Sequence, residues 1–452
     1  MTPLPPEPAL RRLAAAIEVG EVSVREVVEA ALHRIATRDA TLNAFTVVLD
    51  ESARLAAARA DAEIAVGRYR GPLHGIPISV KDLIDVAGVP TTAASRVTDR
   101  SPADADAPVV ARLRSAGAIL IGKCNLHEFA FGTTGEDSAF GPTRHPVDTT
   151  RSPGGSSSGS AVSVAGGMVT ASVGTDTGGS IRIPAAACGL VGLKPTFGEL
   201  SCDGIVPLAP SLDHVGPLTR CVADARIMFA AMRGTTTAAD TTTPPARRLG
   251  CPRPYFLDQL DDEVRAVFEQ ALERLGDAAW AVSTSPIRHA SDTATVCLHL
   301  VLPEAAAAHA SSLERQGEAY TEGVRVRLEL GRYVLAEDYV RAQRGRAVLA
   351  QAVDEALADH DALVLPSLAI PAPRLGIDTV ELGLGGRPVS VRNVMLRLTQ
   401  LFNATGHPAV SIPCGQTASG LPVGLQLVGR RSCTEQLLAV AEACEQVLAP
   451  EA

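Results

Sequence analysis

Lysine is nearly absent from this chain. Of its 41 cationic side chains only three are lysine, namely Lys81, Lys123 and Lys194. Arginine therefore carries the surface charge, and a lysine kept against that bias is suited to something a guanidinium cannot do, such as losing its proton. Aromatic residues are scarce too, at 3%, beside 46% hydrophobic and 20% charged residues. That balance fits a compact globule with a core of Ala, Val and Leu and excludes a disordered chain. Positive charge is in deficit: the formal net charge is −9, with no basic run to offset it. This argues against a nucleic-acid or anionic-membrane surface as partner. No apolar run reads as long enough to span a bilayer. The opening "MTPLPPEPALRRL" lacks the apolar core of a signal peptide, so the expected compartment is the cytoplasm. None of the nine cysteines forms a C-x-x-C pair, which favours reduced, mostly buried thiols. The ten histidines are isolated and show no ligand spacing, so no metal site is expected.

What is present is an alternation of helical and strand-like segments over 452 residues, enough for a sizeable core. "SVREVVEAALHRI" begins with a capping box, Ser23 with Glu26. "GIPISVK" reads as a short buried strand over Ile76–Val80 ending at Lys81, and a second strand is expected over Ala118–Ile121. Residues 141–160 form a loop rich in Gly, Ser and Pro, followed by a small-residue helix and a strand reaching Thr175. The stretch 232–250 is a Thr/Pro-rich loop. Beyond it, Val264, Val267, Phe268, Ala271, Leu272 and Leu275 keep helical spacing, and "ALVLP" (362–366), "PAVSIP" (408–413) and "VGLQLVG" (423–429) read as strands. Such alternation predicts an α/β sheet layered with helices.

Two familiar signatures fail on context. "GAILIGKC" (117–124) nearly matches a phosphate-binding loop, but its interior is strand-like and apolar. "GSSSG" (155–159) fits a nucleophile elbow centred on Ser157, yet a polar loop stands where the elbow needs a strand. Three features remain: Lys81 after "GIPISV", "PGGSSSGS" at 153–160, and "GTDTGGSIR" at 174–182. Taken singly, each suits an ordinary role as a snorkelling charge, a linker or a tight turn.

Together they resemble the amidase signature family, whose pattern is a lysine after a GIP strand, GGSS in a loop, then D-T-G-G-S-I-R. Lys81 precedes Ser156 by 75 residues and Ser156 precedes Ser180 by 24, which matches the family spacing. The similarity continues through "CGLVGLKPTFGELS" and "SLDHVGPLTR" and reappears in "HPAVSIPCG" and "GLPVGLQLVGR". One departure is Ser158, where many members have glycine. The resemblance implies a single α/β domain over 1–452, a mixed sheet of about eleven strands covered by helices on both sides. Its signature core is expected at about 70–220, with 251–452 completing the sheet and pocket.

The resemblance also implies roles. Ser180 looks like the nucleophile, Ser156 the bridging serine after a cis peptide from Gly155, and Lys81 the base. Burial among Ile76, Ile78 and Val80 would desolvate the ammonium of Lys81 and lower its pKa from about 10.4. Ser157 resembles the residue that hydrogen-bonds the lysine amine, while Asp176 and Arg182 look like supports. Backbone N–H groups of Thr177, Gly178, Gly179 and Ser180 could converge on an oxyanion, an approach that side chains at 178 and 179 would block. The expected activity is hydrolysis of small, largely apolar or aryl amides, or of carbamates and esters, through an acyl-enzyme with no cofactor, by a monomer or homodimer. Two other readings stay open: the A subunit of a glutamine-dependent tRNA amidotransferase, and a catalytically silent scaffold. The amidotransferase grips the glutamine amino group with an aspartate before the "N-x-x-G-x-P" stretch. Here the matching position is Leu396, which with Met395 and Phe402 suits an apolar pocket.

Overall fold

The computed structural model describes residues 9–235, 246–382 and 387–449. Its strands, in chain order, are β1 (Phe45–Val48), β2 (Pro77–Lys81), β3 (Ile119–Cys124), β4 (Ala171–Asp176), β5 (Val191–Lys194), β6 (His214–Thr219), β7 (Arg248–Cys251), β8 (Ala281–Thr284), β9 (Ala362–Pro366), β10 (Thr379–Leu382), β11 (Arg387–Ser390), β12 (Ala409–Gln416) and β13 (Pro422–Val428). Eleven of them form one mixed sheet in the order β1-β3-β2-β4-β6-β5-β12-β13-β9-β7-β8. The antiparallel β5–β12 ladder joins the strands before residue 220 to those after it, so one sheet unites the chain in a single α/β domain. β10 and β11 form a separate hairpin whose alternation is too short to stand out in the sequence.

Local sequence explains the elements that matter for the site. The capping box forms as read: the Glu26 amide donates to Ser23 Oγ and the Ser23 amide to Glu26 Oε2 at 2.8 Å. β2, β3 and β4 are buried along their whole length; β3 opens on the apolar run Ile119–Ile121, while β2 and β4 pair their buried hydroxyls, Ser79 with Ser172 at 2.9 Å. β3 runs three residues further than expected, because Gly122, Lys123 and Cys124 keep pairing with β2. "GAILIGKC" is therefore strand, and no phosphate loop exists there. The helix Ser158–Ala165 approaches its neighbours so closely that a Cβ on Gly159 would lie 2.2 Å from the Ala44 carbonyl oxygen. Small residues are the condition for that packing.

Two expectations need correction. The stretch 232–250 is not one loop: a helix runs to Arg233 and β7 starts at Arg248, while 236–245 lie outside the described residues. One helical stretch, Ala290–Ala319, is long and apolar enough by length and composition to cross a membrane. In this fold it packs against the helices Glu322–Gly331 and Ala336–Leu357, and Glu304 within it receives hydrogen bonds from Ser211 and Tyr339. Its apolar residues are divided between the core, as at Val296, Leu300 and Leu313, and a cleft lined by Leu298, Val301 and Leu302.

Candidate active site

Lys81 ends β2 in a fully buried position. Its Nζ lies 2.8 Å from Ser156 Oγ and 2.8 Å from Thr175 Oγ1, two hydroxyls and no carboxylate. Burial pushes its pKa down to about 7, partly opposed by the charges of Asp176 and Asp213. The amine is thus substantially neutral near pH 7.

The loop before Ser158 delivers Ser156 to this amine. The Gly155–Ser156 peptide is cis, the Ser156 carbonyl accepts the His127 amide at 3.1 Å, and the Ser157 amide donates to the Ser180 carbonyl at 3.2 Å. That last bond ties the serine loop to the segment carrying Ser180. Ser157 does not reach the lysine, contrary to the role its place in the signature implies. Its Oγ donates to the Thr175 carbonyl at 3.1 Å and accepts the Thr175 amide at 3.2 Å. It therefore clamps β4, and the hydroxyl that meets the amine belongs to Thr175. A neighbouring serine in the signature offered no reason to prefer a threonine on the adjacent strand.

Ser180 follows β4 by a tight turn and is 5% exposed, at the floor of a cleft. Gly179 has φ +141°, and a Cβ there would sit 2.3 Å from Thr399 Oγ1 and 2.8 Å from Ile183 Cδ1. A Cβ on Gly178 would meet Leu396 Cδ2 at 3.0 Å. Among the described residues no acceptor takes the amides of Gly178, Gly179 and Ser180, which leaves them available to an oxyanion.

Asp176 and Arg182 hold this turn from behind. Both are fully buried, and the guanidinium binds both carboxylate oxygens, Nη2 to Oδ1 at 2.9 Å and Nε to Oδ2 at 3.0 Å. Arg182 also donates to the Thr399 carbonyl, Gln426 Oε1 and Asn403 Oδ1. Asn403 in turn donates to the carbonyl and carboxylate of Asp176. Burial alone would raise the Asp176 carboxyl; Arg182, Lys194 and Asn403 outweigh it and hold the carboxyl well below its usual range. Every polar atom here has a partner, so the network is rigid. Thr399 completes it, donating to the Gly178 carbonyl at 2.6 Å. On the other side, Thr177 Oγ1 donates to Asp213 Oδ1 at 2.5 Å. Burial raises the Asp213 carboxyl to about 6 despite hydrogen bonds from Thr177 and the Leu208 and Ala209 amides. Thr399, Asn403, Gln426 and Asp213 do not stand out in the sequence, since each lies far along the chain from its partner.

The cleft over Ser180 has a volume of about 720 Å³, with Phe131, Leu302, Arg327, Arg392 and Leu396 in its walls. Of the three expected pocket residues, only Leu396 lines it. Met395 and Phe402 are fully buried, Phe402 stacking on Phe256 at 6.2 Å. The helix Val391–Leu396 presents residues four apart on one face, which puts Leu396 with Arg392 and turns Met395 to the core.

A fold of this kind belongs to known enzymes. The family model for amidases matches residues 26–438. The chain is 40% identical to an amidase of Pseudomonas putida, over 91% of this chain and 90% of that one. It is 39% identical to the A subunit of the glutamyl-tRNA(Gln) amidotransferase of Anaeromyxobacter sp. (strain K), over 98% and 96% of the two chains. Among solved structures, a crystal structure of an amidase superposes with a TM-score of 0.92 at 38% identity, covering 97% of this chain and 99% of that one. The chain belongs to the amidase family. That membership, with an amidase among its relatives, supports an amide-hydrolysing enzyme.

Proposed function

We propose that this protein is a stand-alone hydrolase of small amides working through Ser180, Ser156 and Lys81. The observation that carries the reading is the fully buried Lys81 amine, bonded to Ser156 Oγ at 2.8 Å with only hydroxyls around it. An amine so placed accepts a proton near neutral pH. Ser156 passes to Lys81 the proton it takes from Ser180 Oγ, and the freed oxygen attacks the amide carbonyl carbon. The oxyanion that forms is received by the amides from Thr177 to Ser180, each such donor being worth about 2.7–4 kcal/mol. Collapse of this intermediate breaks the C–N bond, and the leaving nitrogen takes the proton back through Ser156. Water then hydrolyses the acyl-enzyme by the same relay, restoring Ser180. Carbamates and esters present the same carbonyl geometry and are further candidate substrates.

A second reading, the A subunit of a tRNA amidotransferase, is favoured by the relatives that carry that name. Against it stands Leu396 at the position where the amidotransferase aspartate would grip an ammonium. Leucine lines the cleft next to Gly178 and leaves such a charge unpaired. The test compares L-glutamine with glutaramate and with an aryl amide such as a nitroanilide, using Ser180→Ala as the blank. Turnover of the aryl amide supports the stand-alone hydrolase; glutamine hydrolysed better than glutaramate, which lacks only its amino group, restores the amidotransferase reading. Treatment with a fluorophosphonate should label Ser180, and labelling of Ser157 instead would overturn the assignment of the nucleophile.

A further inference from the structure

Arg392 stands out among the cations of the cleft. Arg397 donates to Asp258 Oδ1 at 2.8 Å and to the Tyr255 carbonyl at 2.9 Å. Arg327 has Asp137 Oδ2 at 3.8 Å from its Nη2. Arg392 has neither: among the described residues no carboxylate pairs with it, no hydrogen bond reaches it, and its Nε is buried without a partner. Its guanidinium carbon lies 6.0 Å from the centre of the Phe131 ring, while Arg327 lies 5.3 Å from the same ring. Two cations therefore lie against one aromatic ring. Burial and the charge of Arg327 push the Arg392 pKa down to about 10, which still leaves it charged at neutral pH. A partly desolvated guanidinium beside a second cation is costly unless an anion arrives to meet it.

Its position says where that anion sits. Arg392 and Leu396 are four apart on the helix Val391–Leu396, hence on one face, and both line the cleft. Leu396 lies against Gly178, so it marks the reacting end. Arg392 is one turn away, roughly 6 Å along the helix axis. The cleft they share also has apolar side chains in its lining, among them Val301 and Leu302 from the long helix Thr293–Gln316. An arginine fork is matched to a planar carboxylate, which it can hold through two parallel hydrogen bonds.

We infer that the preferred substrate is an amide with a short apolar body and a carboxylate at its far end, and that Arg392 holds this carboxylate. The inference rests on the amidase reading above and narrows its substrate class.

The test measures kcat/KM for the half-amides of succinate and adipate beside butyramide and hexanamide, their neutral counterparts. At least one acid amide should be favoured over its counterpart by about ten- to a hundredfold, the range of a charge-assisted hydrogen bond. In Arg392→Gln that ratio should fall toward one, and Arg392→Lys, which keeps a cation, should retain part of it. A wild-type preference for the neutral amides, or a ratio untouched in Arg392→Gln, overturns the inference. Binding is read separately by titrating succinate and adipate into Ser180→Ala and into the same variant carrying Arg392→Gln. Loss of binding with Arg392 supports the carboxylate site even if no amide is turned over, a result that would sink the hydrolase reading alone. Equal binding by the two variants rejects the site whether or not amides are hydrolysed.

Discussion

Lys81 and Lys123 lie on neighbouring parallel strands, β2 and β3, and both are fully buried. Val80 is in register with Lys123 and Lys81 with Cys124, so the two lysines leave the sheet on opposite faces. Their surroundings differ in kind. Lys123 Nζ has Asp82 Oδ1 at 2.8 Å, with the Pro90 carbonyl and Thr91 Oγ1 completing its donors. Asp82 is itself held by the hydroxyls of Thr46 and Thr92. Burial lowers the Lys123 pKa, opposed by the adjacent Asp82 carboxylate, with which it forms an ion pair. Lys81 meets only hydroxyls at hydrogen-bond distance and drops to about 7. What separates Lys81 from Lys123 is the absence of a carboxylate at hydrogen-bond distance, together with a serine hydroxyl placed to hand the amine a proton.

The sharpest way to break this contrast is to remove one lysine at a time and read activity and stability together. Ser180→Ala sets the floor: turnover should fall by roughly four to six orders of magnitude with the melting temperature unchanged. Lys81→Arg should fall nearly as far as Lys81→Ala, since a guanidinium keeps its proton. A Lys81→Arg enzyme retaining a tenth of wild-type rate would remove Lys81 from the relay. Lys123→Met should behave in the opposite way. It strands the Asp82 carboxylate, and denaturant unfolding should show a loss of about 3–5 kcal/mol. Lys81→Met takes away an amine that burial disfavours and leaves two hydroxyls short of a partner, so its stability should change by no more than about 1–2 kcal/mol. Equal destabilisation by the two Met substitutions would mean that Lys81 is paired as Lys123 is.

How legible this was in the sequence follows the same division. Lys81 stood out because lysine is rare here; Ser156 and Ser180 were read only through the resemblance that the three motifs carry together. Those motifs are local: a strand end, a serine loop, a tight turn. The sheet was legible for a related reason, since its strands include short apolar runs such as Ile119–Ile121. Partners that meet across the fold were not. Thr175 replaces Ser157 at the lysine amine because β4, not the serine loop, faces that side of Nζ. Asn403 and Gln426 reach Arg182 from more than 200 residues away. Arg392 was hidden by abundance, being one arginine among many; unlike Arg327 and Arg397 it has no carboxylate paired with it among the described residues. Met395 failed as a pocket residue because adjacent helix positions face different directions, which places it about 100° from Leu396.

The smallest expected effect tests whether the amine at Lys81 is tuned by its neighbours as well as by burial. Neutral Lys81 is the active form, so kcat/KM should fall as pH drops below about 7, approaching tenfold per unit. Two carboxylates favour its ammonium form, Asp176 first and Asp213 second. Asp176 cannot be removed cleanly because Arg182 and Asn403 depend on it. Asp213 can be replaced by Asn, whose carbonyl oxygen can accept the Leu208 and Ala209 amides while its NH2 donates to Thr177 Oγ1. Removing its negative charge disfavours the ammonium form, lowers the Lys81 pKa and moves the acid limb to lower pH. The gap between the profiles should be widest between pH 6 and 7 and should narrow below about 6, where Asp213 takes up its own proton in the wild type. A limb displaced to higher pH would reverse the sign of the interaction. One that stays in place would leave burial and Asp176 alone in setting the base.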